Sequence, residues 1–227
     1  MRRSGKFVRP VLRFLASVLI TSGILMLVDA VLTVTWQEPV SAYFAHQDQN
    51  ALKKELRGEL PQTQLDKRLL GSVKDQRAKL QGLARLAKGR AHAGHAIGRI
   101  SLPKIGAHYV VVQGTDLDAL RKGPGHYPDT NFPGQGGTVA VAGHRTTYGA
   151  PFNQIDKLKK GDQIVLEMPY GRFNYTVDHT KIVDPTDLGV VKRVPGREQL
   201  VLSACHPLYS AAQRIIVFAR LKTEQAT

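Results

Sequence analysis

A long apolar run close to the N-terminus is the feature that most restricts how this chain can fold. Residues 14–36 read FLASVLITSGILMLVDAVLTVTW, in which Asp29 is the only charged residue. A helix needs roughly 20 apolar residues to cross a bilayer, and this run is long enough. Asp29 lies toward its C-terminal end, and Trp36 is a residue type that anchors helices at the membrane interface. We therefore predict a transmembrane anchor over residues 14–36.

The residues that precede this run predict its orientation. Residues 1–13 contain five basic residues and no acidic one. Such a segment stays in the cytoplasm, so the chain after residue 36 is expected outside the cell. The alternative is a cleaved signal peptide, but the run is long for a signal sequence and no small-residue cleavage site follows it closely. We predict a single-pass cell-membrane protein with a cytoplasmic N-terminus and an extracellular C-terminal domain.

Residues 37–94 have a helical pattern. Leucine recurs at every fourth residue before Pro61, and leucine or valine recurs at intervals of three, four and seven residues after it, with polar and charged residues between. This spacing is typical of amphipathic helices, and proline interrupts such a helix because it lacks the backbone donor. We predict a helical stalk or linker over residues 37–94 that lifts a domain off the membrane. The alternative, that these helices pack on the domain as an N-terminal layer, stays open.

From residue 95 the pattern changes to short β-like runs. They alternate or are continuously apolar, and they cover residues 97–102, 109–113, 138–142, 163–168, 173–177, 200–204 and 214–221. Turn-forming residues lie between them, and helix-like pieces are short, at residues 116–121 and 152–158. This pattern predicts a mainly β domain over residues 95–227, built as a compact, antiparallel-rich barrel or sandwich.

Charge and cysteine content exclude some classes of function. The net charge is +14, but it is spread along the chain and forms no dense basic stripe with interleaved aromatic residues. We therefore expect no nucleic-acid partner, and the charge instead favours proximity to phospholipid or wall polymer. Cys205 is the only cysteine, so an intramolecular disulfide is excluded. A lone cysteine is either a small buried hydrophobic residue or a nucleophile.

Three reactive residues lie at the ends of apolar runs. Cys205 ends LVLSAC, His144 ends TVAVAGH, and Arg214 opens RIIVFARL. Strands that end at one rim would bring a thiol, an imidazole and a guanidinium together, and a thiol needs such neighbours to become a good nucleophile. Each residue by itself is more often structural, so the pattern alone leaves both interpretations open. Other candidate partners of the thiol are His126, Arg145, His179 and His206.

The histidine and cysteine motifs resemble those of a known family. TVAVAGHRTTYGAPF, followed about sixty residues later by LVLSACHPLYSAAQR, is similar to the sortases, and most to the class E sortases of high-GC Gram-positive bacteria. The similarity spans residues 97–221. It implies an eight-stranded sortase-type β-barrel with short helices. It also implies catalytic roles for Cys205 as nucleophile, His144 as general acid and Arg214 as clamp for the oxyanion and substrate.

The resemblance further implies a reaction and its partners. A sortase cleaves a sorting signal between Thr and Gly and transfers the acyl group to an amine of a peptidoglycan precursor of the lipid II type. The expected partners are therefore secreted proteins with C-terminal sorting signals, and neither a cofactor nor a metal is expected. Tyr127 matches a class E tyrosine associated with alanine in the signal, which favours LAxTG over LPxTG. The expected substrate contacts are Tyr127, Thr146, Ser203 and Ala204, the last replacing the family's usual threonine.

Three other interpretations compete with this one. An L,D-transpeptidase is disfavoured because Ala204 and Pro207 stand where its motif has glycine and arginine. A zinc site at Cys205 and His206 is disfavoured because adjacent ligands without a second pair do not match structural zinc spacing. A non-catalytic, membrane-tethered wall-binding or assembly module, with Cys205 in its core, is the alternative that stays open.

Overall fold

The N-terminal apolar run forms one long helix. The computed structural model describes residues 5–35, 39–194 and 196–226, so residues 1–4 and the predicted interfacial anchor Trp36 lie outside the described residues. Helix α1 spans Gly5–Thr35. Its segment Arg9–Leu32 is long and apolar enough to cross a membrane and is 0% buried inside the protein. The segment fits a single-pass membrane anchor because a fully exposed apolar helix has no core to bury it.

Three further helices connect α1 to the C-terminal domain. They are α2 (Pro39–Gly58), α3 (Leu60–Leu69) and α4 (Gln76–Arg90). The break near Pro61 is present, because α3 begins there with proline in its first turn and Glu59 as its N-cap. The side chain of Asp75 caps α4 by accepting the backbone N–H of Arg77 at 2.9 Å.

The helices pack against the barrel as an N-terminal layer. The buried residues of α2 recur every three or four positions, at Ser41, Ala45, Gln49, Leu52 and Leu56. The two leucines form a cluster with apolar side chains of the first two strands. Leucines and an alanine of α4 belong to the main hydrophobic core of the barrel. The predicted amphipathic stripe is therefore used to cover the domain.

The C-terminal domain is the expected eight-stranded barrel. Its strands are β1 (Ala96–Leu102), β2 (Ala107–Gln113), β3 (Gly125–His126), β4 (Gly137–Ala142), β5 (Gln163–Met168), β6 (Gly171–Val183), β7 (Glu198–His206) and β8 (Gln213–Ala226). They close in the order β1-β2-β3-β4-β7-β8-β6-β5. Two neighbouring pairs, β2–β3 and β4–β7, are parallel, and the others are antiparallel.

The helical pieces of the barrel are short, as the sequence predicts. They are α5 (Leu117–Lys122) and the 3₁₀ turns Pro103–Ile105, Ile155–Lys157 and Leu188–Val191. The side chain of Asp116 caps α5 by accepting the N–H of Ala119 at 2.9 Å. The segment 152–158 is only partly helical, because its regular part is limited to one 3₁₀ turn.

The alternation of side chains along β7 separates the barrel core from an outer face. Leu200, Leu202 and Ala204 belong to the main core. The residues between them project to the other side of the sheet, because successive strand residues alternate. On that side Val201 lies in a second cluster with Ala140, Val183 and Ile216. This outer face of β4, β7, β8 and β6 carries Ser203 and Cys205.

Candidate active site

The pairing of β4, β7 and β8 brings Cys205, His144 and Arg214 to one rim of the barrel. Cys205 lies directly opposite Arg214 in the antiparallel β7–β8 ladder. Residues opposite one another project from the same face, with Cβ atoms about 4.5–5.5 Å apart. Strand β4 runs parallel to β7, and the N–H of Gly143 donates to the carbonyl of Ser203 at 3.0 Å. His144 therefore leaves β4 beside the end of β7.

The thiol of Cys205 is accessible without being fully exposed. The residue is half-buried and is a free cysteine. Its place in the alternation of β7 puts it on the outer face, away from the core that contains Ala204. A thiol in this position can meet a substrate that lies along the outer face of the barrel.

The imidazole of His144 is positioned by packing. Its ring lies against the ring of Tyr148, with centroids 5.1 Å apart. Among the described residues, its Nε2 is buried and has no hydrogen-bond partner. Burial lowers the pKa of His144 below its usual range, which favours the neutral ring. This nitrogen has no partner in the part of the protein that the structure describes, but because it is buried a bound substrate reaches it only if the ring or the segment around it moves.

The guanidinium of Arg214 is held by the loop that joins β7 to β8. Its Nη1 donates to the carbonyls of Ala211 and Gln213, both at 3.0 Å. Within the described part of the chain, the hydrogen bonds of this guanidinium come from Nη1 alone. Its Nε and Nη2 groups are therefore available as donors to a substrate oxygen, and the planar fork of donors suits a carbonyl or an oxyanion.

A second arginine supports the same rim from inside the protein. Arg145 is 4% exposed, and it donates to Asp156 at 2.9 Å, to the carbonyl of Asn153 at 3.2 and 3.3 Å and to the carbonyl of Cys205 at 3.4 Å. It links the segment after β4 to the end of β7. From the sequence, Arg145 was predicted only as an alternative cation for the thiol. The only signal in the sequence for this supporting role was that Arg145 directly follows His144. Its spacing from Asn153 and Asp156 does not predict that it contacts them.

The four expected substrate contacts have different surroundings. Tyr127 is half-buried and packs against the outer-face cluster, and Ser203 lies on that face by alternation and is 5% exposed. Thr146 is half-buried in the segment that follows His144. Ala204 is 3% exposed and its methyl group packs in the barrel core. Its side chain thus points away from the face that carries Cys205.

Two of the histidines named as alternative partners of the thiol lie in other environments, whereas His206 directly follows Cys205 on β7, with its Nδ1 3.5 Å from Nη1 of Arg145. His179 stacks on Phe218 at 4.5 Å, partway along β6 and away from the rim. His126 is 1% exposed, with Nδ1 at 3.0 Å from the side chain of Gln113 and Nε2 at 3.0 Å from the carbonyl of Asn131. Burial is the main cause that lowers the pKa of His126 from 6.5 to about 4. His126 is therefore a neutral, hydrogen-bonded core residue that supports the segment leading to Tyr127.

The buried His126 predicts a pH dependence of stability. Its pKa is lower in the folded chain than in the unfolded one, so its contribution is complete above pH 6.5 and is lost as the pH falls toward about 4. A shift of this size corresponds to about 3 kcal/mol. We expect His126→Gln to flatten the fall of melting temperature between about pH 7 and pH 4. His46→Gln, on the exposed side of α2, is the control and should keep the wild-type slope. Equal slopes in wild type and His126→Gln would contradict this assignment.

Comparisons with known proteins relate this chain to one family. Residues 100–222 match the family model described as the Sortase domain. The chain is 37% identical over 137 residues to Sortase D of Bacillus subtilis, and the aligned region covers 59% of this chain and 68% of that protein. It is 28% identical over 240 residues to Sortase SrtE2 of Streptomyces coelicolor, which covers 99% of this chain and 87% of that protein.

Solved structures show the same barrel. Sortase E from Streptomyces avermitilis is 36% identical with a TM-score of 0.55, covering 60% of this chain and 93% of that chain. A Sortase D5 transpeptidase from Clostridium perfringens has a TM-score of 0.62 and covers 78% of this chain and 99% of that chain. At 24% identity, the second likeness bears on the fold alone.

Proposed function

The chain belongs to the sortase family of cysteine transpeptidases, and we propose that it cleaves a sorting signal between Thr and Gly and joins the signal to a cell-wall amine. The observation that carries the proposal is the ladder register that sets Cys205 opposite Arg214, with His144 leaving the neighbouring parallel strand at the same rim. A thiol, a proton carrier and a fixed guanidinium are the groups that an acyl transfer through a thioester requires.

In the first step the proposed nucleophile is Cys205. Its thiolate adds to the carbonyl carbon of the threonine, and the carbonyl oxygen becomes an oxyanion. A thiol attacks effectively only as thiolate, a form that a nearby cation favours. Arg214 is a cation on the same face, directly opposite Cys205 in the ladder, and we assign it to binding the oxyanion.

In the proposed scheme His144 carries the proton. As imidazolium it protonates the leaving glycine amine when the tetrahedral intermediate collapses to a thioester on Cys205. The incoming amine then attacks the thioester and returns its proton to His144, and the thiolate leaves. Burial lowers the pKa of His144, so the imidazolium is the minor form at neutral pH. We therefore assign this step to the minority of molecules in which the ring of His144 is protonated.

We propose LAxTG as the preferred signal and LPxTG as the second choice. Tyr127 packs against Ala140, Val183, Val201 and Ile216 on the outer face, which is the side on which Cys205 lies. A substrate strand along this face would bring its small second residue near the tyrosine ring. Thr146 and Ser203 are proposed as further substrate contacts, whereas any contact with Ala204 involves backbone atoms, because its side chain is in the core.

The proposed location is the outer side of the cell membrane. The apolar segment of α1 serves as the anchor, and residues 1–13 stay in the cytoplasm because of their basic charge. Residues 37–94 connect the anchor to the catalytic domain at residues 95–227. The proposed partners are secreted proteins with C-terminal sorting signals and a lipid II type amine, which lies at the same membrane surface.

The proposal is tested with the full-length protein in detergent micelles. LAxTG and LPxTG peptides are incubated with triglycine as the amine, and the products are identified by mass spectrometry. We expect cleavage after threonine, a peptide–triglycine product and faster turnover of LAxTG. Cleavage without any triglycine product would contradict transfer and favour a hydrolase. Absence of both products, with a Cys205 thiol that resists alkylation, would favour the non-catalytic wall-binding module.

A further inference from the structure

Helix α2 contacts the segment that follows His144, although the two are far apart in sequence. Ser41 of α2 is 7% exposed, and its Oγ accepts the backbone N–H of Tyr148 at 3.0 Å. From this contact we infer that Ser41 is a positioning residue for His144 and that α2 is part of the active unit. The inference rests on the proposed catalytic role of His144.

The backbone that Ser41 binds has a conformation that requires support. Tyr148 has a φ of 52°, in the left-handed region that residues with a Cβ seldom adopt. Such a residue persists where its surroundings hold it in place. A second bond fixes the next residue, because the hydroxyl of Tyr109 donates to the carbonyl of Gly149 at 2.7 Å. The two bonds together hold the turn after His144 against α2 and β2.

The side chain of Tyr148 contacts His144, so the hydrogen bonds that fix the backbone of Tyr148 also restrict the position of the imidazole. The two rings are tilted by 47° with centroids 5.1 Å apart. Within the described residues no hydrogen bond fixes the imidazole, so its position depends on packing, and the tyrosine ring is part of that packing. The guanidinium of Arg121 lies 5.9 Å from the centroid of the tyrosine ring and limits its movement further. A change in the backbone of Tyr148 should therefore displace His144.

Helix α2 is itself fixed firmly enough to act as a support. The amide of Gln49 accepts the N–H of Val110 at 2.7 Å and donates to the carbonyls of Val110 at 3.1 Å and Lys122 at 2.7 Å. Leu52 and Leu56 bury their side chains on the same face of the helix. Ser41 is thus carried by a helix that is bonded to the barrel at several points.

This support lies outside the segment that defines the family. The matched domain covers residues 100–222, whereas α2 begins at Pro39, four residues after α1 ends at Thr35. The residue that positions the histidine therefore follows the membrane anchor almost directly. A chain shortened to the matched domain would keep Cys205, His144 and Arg214 but would lose Ser41.

The test uses full-length Ser41→Ala, with Ser41→Thr as the variant that keeps the acceptor. Asn50→Ala, on the exposed side of α2, is the matched control. We measure kcat, KM and their pH dependence with the LAxTG peptide and triglycine, together with melting temperature. We expect Ser41→Ala to lower kcat roughly tenfold, with KM changed less than about twofold, because a displaced proton carrier slows the chemical step. The limb of the pH profile of kcat/KM that reports the titration of His144 should shift in Ser41→Ala. Ser41→Thr should have the wild-type kcat and the wild-type pH profile.

The outcomes separate this inference from the proposed function. Wild-type kcat and pH profile in Ser41→Ala, alongside an inactive His144→Ala, would overturn the inference and leave the function intact. An equal loss in Asn50→Ala would also overturn it, because the effect would then belong to α2 in general. Normal turnover in His144→Ala would contradict the proposed function, and the inference would fail with it.

Discussion

Replacing Cys205 with alanine is expected to abolish both peptide cleavage and transfer to the amine. The residue is the only thiol in the chain, and the proposed thioester has no other atom on which to form. Loss of a catalytic nucleophile costs at least about a thousandfold in turnover. The measurement is steady-state cleavage and transfer of the LAxTG peptide by wild type and Cys205→Ala.

Folding of the variant is checked in parallel. Cys205→Ser keeps the size of the side chain and places a poorly ionised hydroxyl on the same rim, so it should be as inactive as Cys205→Ala. The side chain is half-buried and lies outside the barrel core, and both variants should therefore melt within a few degrees of wild type. Activity above a tenth of the wild-type value in a Cys205→Ala sample would remove this residue from the mechanism.

The elements that depend on local hydrophobic pattern were predictable from the sequence. The apolar run predicted α1. Strand-like runs ending at Cys205 and His144 made a shared rim one of two open interpretations, because an apolar strand usually ends where its burial ends. The barrel and its strand number came from the resemblance, and the closed order of strands confirms them. Strand β3 was missed because its two residues are too few to form a pattern.

The long-range pairings were not predictable from pattern. The parallel contact between β4 and β7 brings His144 beside Cys205, yet nothing in either run specifies a parallel partner. The leucine spacing of α2 predicted an amphipathic helix, but it did not show that Ser41 and Gln49 continue the buried stripe as hydrogen-bonding residues. A sequence pattern predicts that polar residues are exposed, because it does not show the hydrogen-bond partners that would allow them to be buried.

Ala204 was expected as a substrate contact, although the alternation of strand residues already predicted that its side chain lies on the opposite face from Cys205. Adjacent residues of a strand point to opposite faces, so a nucleophile on the outer face places its neighbour in the core. Ala204 accordingly packs inside the barrel, together with Leu202 and Ile215. The replacement of the family's threonine by alanine at this position therefore changes core packing near Cys205 before it changes any contact with substrate.

Two arginines bond near Cys205, and their burial separates their roles. Arg145 is 4% exposed and bonds only to protein groups within the described residues, including the carbonyl of Cys205. Arg214 is half-buried on the outer face and uses Nη1 alone for the protein. Arg214 is therefore the guanidinium that remains available to a substrate, whereas Arg145 binds the backbone carbonyl of Cys205.

Replacing Arg214 with alanine is expected to lower turnover by roughly a hundredfold to a thousandfold, which is the cost of removing one donor to an oxyanion, about 2.7–4 kcal/mol. The negative charge on the substrate oxygen appears only when the thiolate adds, so the loss should fall on kcat more than on KM. Arg214→Lys keeps the charge but loses the planar fork of donors, and it should also be strongly impaired. Steady-state kinetics and melting temperatures of both variants provide the measurement.

The matched control for Arg214 lies on the same strand and the same outer face. Arg220 is six residues further along β8, and it pairs with Asp178 at 2.8 Å on the surface. An exposed ion pair contributes little to stability and nothing to an acyl transfer, so Arg220→Ala should keep turnover within about twofold. A loss in Arg214→Ala that Arg220→Ala does not share therefore identifies a role specific to the rim. Near-normal turnover in Arg214→Ala would instead show that the oxyanion is stabilised by other donors, and the mechanism would reduce to Cys205 and His144.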